Sequence, residues 1–173
     1  MPGSAEELST ELLEFCRSES LSGDGLQEIF ERHGCTPNHP GIDNYDFFHL
    51  ACWNEKVTEE ILRCLLEYFS DAAGAIHEGE TILQGQGETP LHVICHNQNA
   101  TLGIVQLLID ASPDSLHHLN RIGMTPLLHL CFNSNADDEV KLEVLNLRIE
   151  KCPESVRRVA RLSYLPIHAA AGF

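Results

Sequence analysis

Apolar side chains recur along this chain at helical spacing and in short bursts, each burst closed by glycine, proline or a polar turn. EELSTELLEFCRS, near the start, brings Leu8, Leu12, Leu13, Phe15 and Cys16 to one side, and DGLQEIFERHG does the same with Leu26, Ile29 and Phe30. This period predicts two short amphipathic helices, the second closed by Gly34. A turn-rich connector, CTPNHPGIDN, follows from Cys35. Farther on, Leu91, Ile94 and Cys95 mark one side of a helix. The next helix, with Ile104, Val105, Leu107, Leu108 and Ile109, is apolar around most of its circumference, the pattern of a helix flanked by neighbours.

The bursts repeat. GETPLHVIC at 87–95 returns as GMTPLLHLC at 123–131, and more weakly as LPIHAAA at 165–171 and NYDFFHLAC at 44–52. Aligned on the threonine, the units start at Asp46, Thr89, Thr125 and Leu165, with spacings of 43, 36 and 40. Their second halves align as well: EEILRCLLEYFSDA, LGIVQLLIDASPDS and EVLNLRIEKCPESV, with Ser70, Pro113 and Pro153 in register. The surplus residues then fall in connections, within AIHEGETILQGQ of the first unit and NSNADDE of the third, where a stack of repeats tolerates them. Thr89 and Thr125 can each cap a helix whose first position is proline, where the missing amide proton would have had no partner. Helices this short are marginal alone and must be stabilised by stacking.

TPLH opening the first of two helices, repeated at this spacing, resembles the ankyrin repeat family over about residues 44–173. The resemblance implies an all-α solenoid of helix-turn-helix units: about 44–86, 87–122, 123–162 and a partial 163–173. Residues 1–34 would be an N-terminal helical cap and 35–43 a connector. It also implies structural roles for Thr89, Pro90, His92, Thr125, Pro126, Pro166, His168 and His49, the histidines tying adjacent repeats together. The chain departs from the pattern in three places. Asp46, Phe47 and Phe48 replace threonine, proline and leucine; Leu128 takes the histidine position, with His129 one step later; Ser163 replaces the glycine of Gly87 and Gly123. The last unit stops at Phe173 without a second helix or a polar face, so the chain is expected to be a piece of a longer array.

Composition narrows the function. With 26 acidic against 11 basic side chains the formal charge is −15, the wrong sign for neutralising phosphates, so no nucleic-acid or anionic-membrane partner is expected. The charge is uneven, acidic at the start and basic near Arg157, Arg158 and Arg161. No apolar run approaches the ~18 residues of a membrane span, and the N-terminal stretch has acids where a secretory signal needs bases. Seven cysteines without CxxC spacing argue for a reducing, intracellular compartment.

Candidate chemistry is thin. His92, Cys95 and His96 could point two imidazoles and a thiolate at one metal, but a fourth ligand and a general base are missing, and His49 and Cys52 recur in the same register. Cys52, Cys95 and Cys131 are read as compact core residues, and Cys35, beside His33 and His39, as the exposed thiol. No cofactor and no small-molecule substrate are expected, and the chain is read as a non-catalytic scaffold or adaptor that binds an unidentified protein. The alternative is the targeting or regulatory arm of a longer enzyme. Candidate contacts are Ile76, His77, Glu80, Ile82 and Leu83 in the long loop, His117, His118 and Arg121 between repeats, and Arg157, Arg158 and Arg161.

Overall fold

The computed structural model describes residues 4–38, 42, 44–78 and 87–151. Within them lie eight α-helices: α1 (Ala5–Arg17), α2 (Gly23–His33), α3 (Asp46–Trp53), α4 (Glu59–Tyr68), α5 (Pro90–His96), α6 (Leu102–Ala111), α7 (Pro126–Phe132) and α8 (Asp138–Lys151). Short 3-10 turns, Ser70–Gly74 and Pro113–His117, follow α4 and α6. The helices form two columns. First helices stack α1 on α3 on α5 on α7, and second helices stack α2 on α4 on α6 on α8. Each pair thus covers its neighbour's apolar side, the arrangement of a one-dimensional repeat stack.

Local chemistry sets the helix starts. Thr89 and Thr125 are the N-caps of α5 and α7, each followed by proline at the first helical position. Thr58 and Thr101 cap α4 and α6 by accepting the amides of Ile61 and Ile104. At α3 the divergent start has its own solution. The N-cap there is Tyr45, one residue before the aligned threonine position and without a side-chain cap bond, while Asn44 Oδ1 accepts the amide of Asp46 at 2.8 Å. Gly87 and Gly123 both take positive φ, 76° and 80°, in the turn before the threonine, a conformation that penalises any Cβ. The helices α6 and α4 end before Pro113 and Ser70, as the alignment of second halves predicts.

Phe47 and Phe48, the departures from proline and leucine, are fully buried. Phe47 meets the Phe69 ring edge-on at 5.1 Å, and Phe30 stacks on Tyr68 at 4.1 Å. Burying such rings contributes about 2 kcal/mol each. Leu13, Phe15 and Leu107 are only partly buried, because each sits at the margin of its helix's inward stripe. The glutamates Glu6, Glu7, Glu14, Glu28 and Glu31 of the first pair face solvent.

Candidate functional site

The polar groups that matter lie along the column of first helices. The buried His92 ring donates from Nε2 to the carbonyl of Met124 in the next unit at 3.0 Å, while its Nδ1 accepts the Thr89 amide at 3.2 Å and the Thr89 hydroxyl at 2.9 Å. Burial, with His118 and His96 nearby, holds this ring neutral, its pKa lowered to about 3. His49 repeats the link one layer earlier: its ring spans the carbonyls of Tyr45 at 3.2 Å and Glu88 at 3.1 Å. Met124 and Glu88 are the residues just before the two cap threonines, so each histidine ties one helix start to the next. His129, displaced by one residue, faces the other way. It meets the Asn120 amide at 3.1 Å from Nε2, in the loop before its own helix, and lies 3.8 Å through Nδ1 from the carboxylate of Glu88, in the turn before α5.

A second column escaped the sequence reading. Asn54, Asn97 and Asn133 are the C-caps of α3, α5 and α7. Each carboxamide reaches back one layer: Asn54 donates to Cys16 and Ser18 carbonyls, Asn97 to Cys52, Trp53 and Asn54, and Asn133 to Cys95 and Asn97. Each Oδ1 accepts the amide two residues on, at Lys56, Asn99 and Asn135. Their spacings, 43 and 36, equal those of the unit starts, and that equality was the available signal. Asparagine in a loop reads as an ordinary turn former, which masked it.

Of the expected contact residues, Ile76 is 45 % exposed and Arg121 is exposed while bridging to Glu78 at 2.7 Å. His77 is buried, donating from Nδ1 to Asp46 at 2.7 Å and pairing its backbone with Glu88. His117 and His118 are half-buried, and His118 Nε2 donates to the Gly87 carbonyl at 3.0 Å. Glu80, Ile82, Leu83, Arg157, Arg158 and Arg161, together with Pro166, His168 and the partial unit 163–173, lie outside the described residues. Cys35 is half-buried rather than exposed, and burial pushes its thiol up; Cys16 is raised to about 12 by the same cause. Cys131 is only half-buried, unlike Cys52 and Cys95.

Exposed rings make a third column. Trp53, His96 and Phe132 are the last residues of α3, α5 and α7, and all three are exposed. Trp53 and His96 line one notch with Glu55, Asn97, Gln98 and Asn135, about 200 Å³ in volume.

A family model for ankyrin repeats, in three copies, matches residues 48–150, more than half of the chain. The chain belongs to the ankyrin repeat family. No curated protein matches it significantly. Ankyrin repeats are protein-interaction modules in general, and such domains are typically non-catalytic. Among the described residues no helix is long and apolar enough to cross a membrane.

One cluster in these ankyrin repeats is not explained by stacking alone. Glu88, His96 and His129 bring ligand atoms within 4.8 Å of one another. Burial raises the pKa of Glu88 and, together with His96 and His92, lowers that of His129 to about 3. Both shifts favour the uncharged forms, so the 3.8 Å contact is not an imidazolium-carboxylate ion pair. The His92, Cys95, His96 set singled out by spacing does not come together as one: His92 is committed to Met124 and Thr89.

Proposed function

We infer that this ankyrin repeat chain is a non-catalytic adaptor that binds a segment of another protein along the ends of its first helices. The observation that carries this reading is the exposed column of Trp53, His96 and Phe132. Three rings at one register of successive repeats, two of them 41 % and 53 % exposed apolar side chains, are costly to leave in water and offer the anchors that interfaces favour. Ile76, Leu119 and Ile122, on the loops between repeats, add exposed apolar surface in the same units. Beside this column, the side chains of His92, Asn97 and Asn133 are engaged in holding the layers together.

The test compares proteins captured by the full chain with those captured by a Trp53→Ser/Phe132→Ser double variant of unchanged circular dichroism. The reading expects at least one specific partner to be lost with the two rings. Equal capture by both proteins would move the interface away from this column. A loss on replacing Ile82 and Leu83 instead would assign it to the long loop.

A further inference from the structure

We propose that Glu88, His96 and His129 form a binding site for one divalent transition-metal ion at the seam between the second and third repeats. The three ligands come from separate places: the turn before α5, the last residue of α5, and the middle of α7. All three ligand atoms lie within 4.8 Å of one another. His129, only 2 % exposed, has its Nδ1 buried without a hydrogen-bond partner and directed at the Glu88 carboxylate 3.8 Å away. Glu88 is itself 3 % exposed. A buried ring nitrogen left unpaired beside a buried carboxylate is a costly arrangement that a cation between them would relieve. His96 is exposed at the notch, which supplies an entry path, and its ring lies against that of His129 with centroids 4.0 Å apart.

The donor set selects the ion. Two imidazoles and one carboxylate suit zinc, cobalt or nickel, whereas calcium and magnesium prefer an all-oxygen shell. Three protein ligands leave a fourth position to water. Binding also requires a specific rearrangement. Asn120 Oδ1 accepts the Met124 amide at 2.9 Å, and its Nδ2 donates to Glu88 Oε1 at 3.3 Å and to His129 Nε2, which places the ring proton on Nδ1. With the metal on Nδ1 the ring keeps one proton, now on Nε2, and the Asn120 carboxamide turns so that its oxygen accepts it. The loss of the Met124 and Glu88 bonds makes the wild-type site weak, and a carboxylate at position 120 would favour the metal-bound tautomer from the start.

The experiment titrates the reduced, chelator-treated full chain with Co2+ and Zn2+, following visible absorption and heat. One equivalent is expected, with d-d bands of nitrogen and oxygen ligation and no thiolate charge-transfer band. His96→Ala, at an exposed position, should weaken binding at least tenfold without altering circular dichroism, as should Glu88→Gln. Asn120→Asp should tighten it about tenfold. His33→Ala, in the first helix pair, should leave it unchanged. A thiolate band, several equivalents that persist in His96→Ala, or no binding by the wild-type chain and Asn120→Asp alike would overturn the proposal.

Discussion

The second and third repeats open on nearly the same residues, Thr89-Pro90-Leu91-His92 and Thr125-Pro126-Leu127-Leu128-His129, yet their histidines bond in opposite directions. His92 reaches forward to Met124, and His129 reaches back to Asn120 and Glu88. One residue on an α-helix is a rotation of about 100°, enough to carry a side chain from one neighbour's side of the helix to the other's. Burial is common to both rings, and bond direction is not. The asparagine ladder, by contrast, runs backward in both repeats, so the layers share one fastener and differ in the other.

The largest expected effect comes from what the two histidines share. Both rings have pKa values near 3, below the ordinary 6.5 of an unfolded chain. The unfolded state therefore binds more protons between those values, so stability is full above pH 6.5 and falls as pH drops toward 3. Each ring contributes a slope of up to about 1.4 kcal/mol per pH unit. Glu88, with its pKa raised by burial, opposes this, and Asp46, lowered because the His77 and Asn44 hydrogen bonds outweigh its burial, adds to the loss at the acid end. His49 and His96, also lowered by burial, add to the decline; urea unfolding of the chelator-treated chain from pH 7 to 4 should show it, and His92→Leu or His129→Leu should each lessen the slope by up to about 1.4 kcal/mol per pH unit. Unchanged slopes in both variants would mean that burial does not hold these rings neutral.

Next in size is the shared fastener. Asn97→Ala removes a buried carboxamide that serves three carbonyls and one amide, and should cost about 3 kcal/mol in the urea midpoint. Asn54, half-buried and serving two carbonyls, should cost about half as much. Equal losses would make the ladder a local cap effect and not a tie between layers.

The stack was legible because its period is carried by apolar residues and by the threonine-proline starts, which act locally. Leu91, Ile94, Ile104 and Val105 are buried where the pattern places them. What spacing could not reveal depends on loops meeting across layers. Glu88 and His129 lie 41 positions apart, and Asn120 joins them only because the loop before α7 folds onto the loop before α5. His77 looked like a loop residue because its partner, Asp46, stood where a threonine was expected. Exposure of Trp53 and Phe132 was equally hidden, since a helix's last position can face the core or water with the same sequence period.

The smallest effect isolates the histidine shift itself, at the two cap threonines. With His92 in place, the Thr89 hydroxyl donates to the ring's Nδ1 at 2.9 Å and so fixes the tautomer that reaches Met124. With the histidine moved on by one, the Thr125 hydroxyl accepts the Leu128 amide at 3.4 Å as a cap of the helix. Valine keeps the shape of either side chain and removes the hydroxyl. Thr125→Val should cost about 1 kcal/mol, the ordinary value of a lost cap. Thr89→Val should cost about 0.5 kcal/mol more, because it also takes a hydrogen bond from a buried ring nitrogen. The difference should vanish in a His92→Leu background, where Thr89 has no ring to orient. Urea midpoints of the four variants measure it, and a difference that survives His92→Leu would place its origin in the two helices' surroundings, not in the direction of the histidine bond.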